Sequence, residues 1–324
     1  MRVPAPAKIN LHLRVGPPRP ADGFHPLLTW MVTAGLFDTL TFVRHARRAD
    51  DDDAAGGMIF ALSCSDPALP TDSAGNLVAR VATGLADTLS RVGEGSTARA
   101  ATRAMESGRV SAFLNKRIPP GAGLAGGSSD AVATLLALNR IWRLGWSREQ
   151  LSAFAARFGS DLSFFFAETG SAICTGRGEI VRAIRPPDTG RWAVLVLPKF
   201  GIATPAVYRR FDEMRLGDER TIAEEPDWLA WSKLSAADLM PRLINDLEPP
   251  AFSLRPELGE LRAALEKKLN RVFRMSGSGS SLFSLTDSFA EASELSQRAH
   301  DGLQVDAIAV EIAPALTWVD RERE

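Results

Sequence analysis

A glycine-rich loop that runs directly into a helix is the feature that most constrains this chain. Residues 119–134 read PPGAGLAGGSSDAVAT, with four glycines in seven consecutive positions. Glycine lets the backbone approach an anion closely, and a helix N-terminus offers free N–H groups at the positive end of its dipole. The segment therefore predicts a phosphate-binding loop, although these residues alone leave a plain turn open.

Two common nucleotide-binding motifs explain this loop poorly. Three of its glycines satisfy G-x-G-x-x-G, but a Pro-Pro pair separates them from the preceding strand, and no acidic residue lies near position 146 to hold a ribose. A Walker A motif needs a lysine where this chain has Gly127. We therefore expect the loop to take its cationic partner from elsewhere in the chain.

The composition is that of a globular protein with about two domains of ~150 residues. Lys and Arg number 38 against 39 Asp and Glu, a net charge of −1, which gives no electrostatic footprint for nucleic acid or an anionic membrane. Two distant cysteines, Cys64 and Cys174, and four scattered histidines argue against a metal centre. The chain lacks a long apolar run and a signal-peptide pattern, so we expect a soluble cytoplasmic protein.

Hydrophobic periodicity predicts interleaved strands and helices. Residues 6–15 alternate apolar and polar side chains, which predicts a strand with Lys8 and Asn10 side by side on one face. We expect a charged surface loop over 44–58. The other predicted strands lie near 36–43, 110–114, 192–197, 282–285 and 305–313, and the predicted helices near 76–90, 130–142, 148–158, 226–247, 256–270 and 288–302. This pattern favours an α+β or α/β architecture.

Three motifs together resemble those of the GHMP kinase superfamily. They are PAKINLHL at 6–13, the glycine loop, and MSGSGSSLF at 275–283, in the family's order and spanning nearly the whole chain. The resemblance implies an α+β fold of two domains. Residues 1–172 would form an ATP-binding domain similar to ribosomal protein S5 domain 2. Residues 173–324 would form a ferredoxin-like domain. Whether the last strand returns to the first domain is left open.

Four shorter segments resemble one branch of that superfamily. They are DGFH at 22–25, GSD at 159–161, GRGE at 176–179 and NDLE at 245–248. The branch uses ATP to phosphorylate the 2-hydroxyl of a cytidine-diphosphate-linked methylerythritol in the non-mevalonate isoprenoid pathway. The resemblance implies ATP with its Mg²⁺ and this acceptor as ligands, no nucleic-acid or membrane partner, and either a monomer or a homodimer. Another small-molecule GHMP kinase and a catalytically silent nucleotide-binding regulator remain alternatives.

The resemblance also implies roles for two charged residues. Asp161 matches the family's catalytic aspartate and would accept the proton of the acceptor hydroxyl. Lys8 matches its catalytic lysine and would keep Asp161 ionised while adding positive charge near the transferred phosphoryl group. From the residues alone, Asp161 could instead cap the next helix, and Lys8 could be a solvent-facing strand residue.

The remaining expected site residues contact the two nucleotides. Phe24 stands where the branch usually has tyrosine. From the residues alone, Asn76 could instead be a helix cap, Thr204 a turn residue and Tyr208 a packing residue. No protein metal ligands are predicted. The expected acceptor-binding residues are Asn10, Phe24, His25 and Tyr208. The expected ATP-binding residues are Asn76, Pro119, Gly121, Ala122, Gly123, Leu124, Ala125, Gly126, Gly127, Ser128, Ser129 and Thr204.

Overall fold

Two β-sheets with helices packed on them form the molecule. The structure is a computed structural model that describes residues 1–45, 60–90, 109–167 and 169–315. Most of the charged loop expected over 44–58 therefore lies outside the described residues. The strands are β1 (Arg2–Val15), β2 (Leu27–Arg44), β3 (Phe60–Cys64), β4 (Val110–Asn115), β5 (Ser171–Gly176), β6 (Ile180–Ala183), β7 (Trp192–Leu197), β8 (Arg274–Met275), β9 (Leu282–Thr286) and β10 (Asp306–Glu311).

The helices of the described residues alternate with these strands. They are α1 (Leu77–Ser90), α2 (Gly126–Ile141), α3 (Arg148–Ala155), α4 (Thr204–Glu213), α5 (Glu219–Ala223), α6 (Trp228–Ser232), α7 (Ala236–Leu239), α8 (Glu248–Leu254), α9 (Pro256–Leu269) and α10 (Phe289–Leu303), with 3₁₀ turns at Ser160–Phe166 and Met240–Arg242. The predicted capping box at the start of α3 is confirmed, because Ser147 accepts from the Gln150 N–H and the Gln150 side chain accepts from the Ser147 N–H.

The first sheet is built around the long strand β2. Its order is β3-β4-β2-β5-β6, with β1 also paired to β2. One half of β2 pairs with β4 and the other half with β5, so a single strand organises most of the sheet. Helices α1 and α2 cover this sheet through a core that includes Leu85, Leu135 and Trp142.

The second sheet has the ferredoxin-like arrangement. Its order is β10-β7-β9-β8, and all three pairings are antiparallel. Along the chain the strands follow a β-α-β-β-α-β pattern, with α4 to α9 between β7 and β8 and with α10 between β9 and β10. A buried cluster that includes Trp30, Leu195 and Phe283 joins the two sheets.

The chain passes from one sheet to the other later than residue 172, where the sequence placed the domain boundary. Strands β5 and β6 both belong to the first sheet, which therefore extends to Ala183. The last strand, β10, pairs with β7 in the second sheet. Just beyond it, Ile312 forms an isolated bridge to Ala34 of β2, and this bridge ties the end of β10 to the first sheet.

The helical character predicted around 226–247 is present only as short helices that end at Arg242. Asp227 and Ser235 each accept a backbone N–H, from Ala230 and Asp238, so each side chain starts a new short helix. After the 3₁₀ turn the chain becomes extended and pairs with β1. The Leu13 N–H donates to Ile244 O at 2.7 Å, and the Asp246 N–H donates to Leu13 O at 3.0 Å. Helical spacing of apolar residues did not reveal these interruptions.

The predicted alternation in β1 is present, but its polar face is buried as well. Lys8, Asn10 and His12 are all less than 5% exposed. His12 lies edge-on to Trp228 and Trp231, and its pKa falls to about 4 because of burial and, secondarily, the nearby Arg14 charge. Neutral His12 is thus a packing residue that accepts a hydrogen bond from the Ile244 N–H. In the described part of the chain, no helix has the length and apolar character needed to cross a bilayer.

A buried Asp–Lys–Asp chain fastens α2 to the first sheet. Lys116, just after β4, donates to Asp38 of β2 at 2.5 Å and to Asp130 of α2 at 2.9 Å. Asp38 is fully buried and also accepts the N–H groups of Arg117 and Ile118. Burial alone would lower the pKa of Lys116, but the two carboxylates outweigh it and raise that pKa, so Lys116 is held as a cation.

We expect Asp38→Asn to destabilise the protein by about 3–5 kcal/mol, because it removes one partner from a buried charge pair while preserving side-chain shape. Urea unfolding measures the change. Glu294→Gln is the matched control, since its pair with Arg298 is solvent-exposed and contributes little. Equal effects in both variants would contradict the role assigned to Asp38.

Candidate active site

The three predicted motifs meet in one open cleft of about 1410 Å³. Residues of β1, the glycine loop and the 277–278 turn line its centre. Asn76 and the segment around Phe158 line one part, while Phe24, His25 and Tyr208 line another. Pockets for one small molecule usually measure about 300–1,000 Å³. The volume of this cleft exceeds that range, so the cleft has room for two nucleotide-sized ligands.

Lys8 and Asp161 come together at the centre of this cleft. The Lys8 Nζ lies 3.8 Å from Asp161 Oδ2, although the two residues are 153 positions apart in the chain. Lys8 is almost completely buried, whereas one third of the Asp161 side chain is exposed to the cleft. Asp161 lies in the first turn of the 3₁₀ segment and does not cap it, since the cap position is Gly159. A carboxylate open to ligand and a buried ammonium behind it make a suitable base and its counter-ion.

The Lys8 ammonium is held on three sides. It donates to Asn10 Oδ1 and to Gly123 O, the latter at 3.2 Å, and faces Asp161. Register irregularities in the β1–β2 pairing flank residues 8–10 and set the direction of these side chains. Burial lowers the pKa of Lys8, while the charge of Asp161 acts in the opposite direction and favours the ammonium. The charge on Lys8 therefore depends on its carboxylate neighbour.

The glycine loop is shaped by its contact with the third motif. Gly121 and Gly123 have φ of 66° and 74°, values that side-chain-bearing residues rarely adopt. A Cβ at Gly123 would lie 2.1 Å from Ser276 O, and the Ser276 hydroxyl donates to Gly123 O at 3.0 Å. The Ser281 N–H also donates to Ala122 O at 3.0 Å. Only a glycine at position 123 allows the loop to dock this closely.

The loop ends at a helix N-terminus that is open to the cleft. Helix α2 begins at Gly126 after Ala125, whose left-handed backbone provides no side-chain cap. A Cβ at Gly127 would meet no atom within 4 Å, so the space beside it is free. Uncapped N–H groups and the helix dipole at this position can bind an anion such as a nucleotide phosphate.

The predicted ATP-binding residues surround this N-terminus with two differences. Leu124 and Ser129 are buried and do not line the cleft, because Leu124 packs in the core between the sheets and Ser129 faces the interior of the fold. Asn76 lines the cleft and also caps α1 by accepting the Val78 N–H at 2.9 Å. Thr204 begins α4 and exchanges a 2.7 Å hydrogen bond with the Ser278 hydroxyl. The other predicted loop residues that line the cleft are Pro119, Gly121, Ala122, Gly123, Ala125, Gly126, Gly127 and Ser128.

The predicted acceptor-binding residues form a separate aromatic end of the cleft. The rings of His25 and Tyr208 are 5.2 Å apart. His25 Nδ1 contacts Gly16 O at 2.8 Å, and its Nε2 lies 3.2 Å from Asp212 Oδ1, so the ring is fixed on both sides. Phe24 is about half exposed, and burial raises the pKa of Tyr208, with a smaller contribution from Asp161. Asn10 differs in role, because its side chain binds Lys8 and Thr29.

Sequence models and related proteins agree on the family. A model of the GHMP kinases N terminal domain matches residues 76–168, and a model of the GHMP kinases C terminal region matches residues 223–303. The 4-diphosphocytidyl-2-C-methyl-D-erythritol kinase of Nocardioides sp. is 41% identical over 263 residues, covering 79% of this chain and 78% of the relative. The enzyme of the same name from Microcystis aeruginosa is 34% identical over 322 residues, covering 96% and 95%.

The chain belongs to the 4-diphosphocytidyl-2-C-methyl-D-erythritol kinase family of GHMP kinases. A crystal structure of a 4-(cytidine 5'-diphospho)-2C-methyl-D-erythritol kinase superposes with a TM-score of 0.71 at 30% identity, covering 96% of this chain and 99% of that one. A mevalonate kinase structure superposes with a TM-score of 0.62 at 11% identity, which shows a shared fold. The expected two-domain GHMP kinase fold is thus confirmed for this member of the family.

Two groups of site residues in this family member escaped sequence reasoning. One is Lys116, which lines the cleft and pairs with Asp130 of α2. The other is Asn245, whose side-chain amide donates to Met275 O at 2.7 Å and to Gly277 O at 2.8 Å, fixing the third motif against β1. The NDLE segment had been noted as a signature, but its spacing gave no sign of this bracing role.

The residues of the cleft do not form a metal site of their own. Among the described residues, no cluster of three or more His, Cys, Asp or Glu side chains is placed to hold a metal ion. Asp130 has one oxygen without a hydrogen-bond partner in the described structure, but that atom is fully buried and its other oxygen is bound to Lys116.

We expect Gly123→Ala to destabilise the protein by at least about 2 kcal/mol, because the new methyl group overlaps Ser276 O and the residue must keep a positive φ. Gly127→Ala is the control: its site is open and helical, so stability should stay equal or rise by about 0.5–1 kcal/mol. Chemical unfolding of both variants measures the difference. A Gly123→Ala protein as stable as the Gly127→Ala protein would contradict the proposed docking.

We expect the stability of the wild type relative to Asp130→Asn to fall as pH rises from about 4 to about 7. Burial and the charge of Asp38 outweigh Lys116 and raise the pKa of Asp130 from 3.8 to about 7. In this pH window the folded state holds a proton on Asp130 that the unfolded state has lost, so a rise in pH favours unfolding. Unfolding free energies of both proteins across this range test the sign, and a difference that does not vary with pH would contradict it.

Proposed function

We propose that this chain transfers the γ-phosphoryl group of ATP to the 2-hydroxyl of 4-diphosphocytidyl-2-C-methyl-D-erythritol, giving the 2-phosphate and ADP. Relatives named as kinases of this compound, at 34–41% identity over most of the chain, support the reaction. The observation that carries it is the contact between Lys8 and Asp161 at the junction between the open helix N-terminus and the aromatic end of the cleft. We expect the enzyme to act in the cytoplasm, where ATP is available.

The first step is the binding of ATP at the glycine loop. The phosphates lie against the N–H groups of residues 126–128 and the positive end of the α2 dipole. The adenine end then reaches Asn76, which lines the same part of the cleft. Mg²⁺ bound together with ATP would neutralise charge on the phosphate oxygens.

Phosphoryl transfer then takes place beside Asp161. The acceptor oxygen forms a bond to the γ-phosphorus while the bond from that phosphorus to the bridging oxygen breaks, and ADP leaves with the bonding electrons. Asp161 accepts the proton of the hydroxyl group, which makes the oxygen a better nucleophile. Lys8, whose ammonium lies 3.8 Å from Asp161 Oδ2, adds a positive charge beside the negative phosphoryl group as it moves.

The aromatic end of the cleft supports a nucleotide-linked acceptor over a simple alcohol. Tyr208 offers a ring face for a pyrimidine, and the fixed ring of His25 lies next to it. The same fold occurs in a mevalonate kinase and a homoserine kinase at 11% and 15% identity, so the fold does not select the acceptor. A panel of mevalonate, homoserine, galactose and the cytidine-diphosphate compound with ATP tests this choice by ADP release. Turnover of another alcohol at a higher kcat/KM would overturn it.

We expect Asp161→Asn to lower kcat by about 10²-fold or more, because it removes the proton acceptor while keeping the side-chain shape. ADP release in a coupled assay measures the rate, and ADP binding by calorimetry shows that the nucleotide site is intact. Asp301→Asn is the control, since Asp301 lies on α10 outside the cleft lining and bonds to Gln297. A rate for Asp161→Asn within about threefold of the wild type would exclude Asp161 as the base.

A further inference from the structure

The tip of the hairpin between β5 and β6 places a cation at the acceptor end of the cleft. Arg177 lies at this tip, and its guanidinium carbon is 4.8 Å from the centre of the Phe24 ring. Both residues line the cleft. The GRGE segment was a family signature in the sequence, and the chemistry derived above leaves it without a role.

The hairpin turn holds Arg177 in a fixed position. Gly176 and Gly178 both have positive φ, and the Gly178 N–H donates to Thr175 O at 3.0 Å. The Arg177 N–H donates to Glu179 Oε2 at 2.5 Å. A Cβ at Gly176 would lie 2.8 Å from both oxygens of this carboxylate, so the turn closes tightly around Glu179. The Arg177 side chain therefore starts from a well-defined backbone.

The contact with Phe24 does not pair the charge of Arg177 with a carboxylate. The guanidinium carbon lies 4.8 Å from the centre of the ring, and a guanidinium carries five N–H donors in one plane. Within the described ranges, Arg177 makes no ion pair with a carboxylate, unlike Lys8 and Lys116, which are both paired. Its charge acts on the Asp22 carboxylate without an ion pair between them, so its N–H groups can bind two oxygens of a phosphate group.

The position of the tip matches the middle of a nucleotide-linked acceptor. A Cβ at Gly178 would lie 3.8 Å from Asp161 Oδ1, so the turn borders the reacting end. Phe24 precedes His25, which contacts Tyr208 at the base-binding end. Arg177 therefore lies between the residues proposed to bind the cytosine ring and the proposed site of phosphoryl transfer. In the acceptor, the diphosphate lies between the cytidine and the reacting alcohol.

The carboxylates near the tip of the hairpin make a cation necessary for binding an anionic acceptor. Asp161, Glu179 and Asp212 all line this side of the cleft, and each would repel an anionic acceptor. Lys8 faces Asp161, and His25 faces Asp212. Arg157, Arg177 and Arg209 also line the cleft, and of these three arginines it is Arg177 that contacts Phe24, next to His25. Arg177 supplies that charge at the rim of the aromatic end.

We propose that Arg177 binds the diphosphate of the acceptor and selects a nucleoside-diphosphate ester over an uncharged nucleoside or a plain alcohol. The proposal rests on the proposed function for the identity of the acceptor. Phe24 contacts the guanidinium through its aromatic ring, and a phenyl ring is sufficient for this contact.

Binding of CDP and of cytidine isolates the diphosphate contact. Calorimetric titrations of both ligands, with saturating ADP to occupy the ATP site, give the ratio of the cytidine Kd to the CDP Kd. We expect CDP to bind the wild type about 10-fold or more tightly than cytidine, because charge-assisted hydrogen bonds to phosphate are strong. In Arg177→Ala the ratio should fall to within about threefold, and Arg177→Lys should lie between the two.

Arg182→Ala is the matched control for loss of one positive charge. Arg182 lies on β6 of the same hairpin, pairs with Glu225 and does not line the cleft, so its variant should keep the wild-type ratio. ADP affinity checks that each variant is folded, and Arg177→Gln replaces Arg177→Ala if the latter fails this check. An unchanged ratio in the Arg177 variants, an equal loss in Arg182→Ala, or no preference for CDP in the wild type would each overturn the proposal.

Steady-state kinetics separate this proposal from the proposed function. Loss of Arg177 should raise KM for the acceptor by about 10-fold or more while KM for ATP stays within about twofold. A wild type that does not phosphorylate the acceptor would refute the proposed reaction, whereas the CDP-to-cytidine ratio would still report on Arg177. Equal increases in both KM values would instead contradict a contact confined to the acceptor.

Discussion

Burial of the Lys8 ammonium is the constraint on which the rest of the site depends. Removing a charge from water is costly, and burial lowers the pKa of Lys8 accordingly. The charge is tolerated because Asn10, Gly123 and Asp161 surround it. These partners come from β1, the glycine loop and the 3₁₀ segment, so the ammonium is compensated only when these elements are all in place. The same convergence brings Asp161 and the glycine loop into contact with one ammonium group.

The third motif holds this convergence together from the other sheet. Its Ser276 hydroxyl bonds to Gly123 O and also accepts the Asn10 N–H at 3.2 Å. Asn245 fixes the motif's own backbone, and the extended segment on either side of it pairs with β1. The two sheets are therefore joined at the site itself, and a change in their packing would move the loop relative to Lys8. This explains why motifs so far apart in the chain occur together.

Sequence patterns predicted the local elements and the reacting pair but not the buried contacts that support them. The strand at β1, the phosphate-binding helix and the Lys8–Asp161 pair were accessible because spacing and motif resemblance report on them. The Lys116 bridge between Asp38 and Asp130 was not, because it depends on the register of β2 against β4, and single-sequence periodicity does not contain that register. Arg177 was missed for a related reason: the hairpin tip approaches Phe24 only in three dimensions.

In the proposed reaction, the two ends of the cleft would bind phosphate by different physical means. At the ATP end, backbone N–H groups and a helix dipole provide the positive potential, and these depend on fold more than on side chains. Structures only 11–16% identical to this chain share the fold. At the acceptor end, the proposed recognition depends on the side chains of Phe24, Arg177 and Tyr208. Substitution of these side chains could change the acceptor while the fold is kept, because a fold does not by itself determine the ligand.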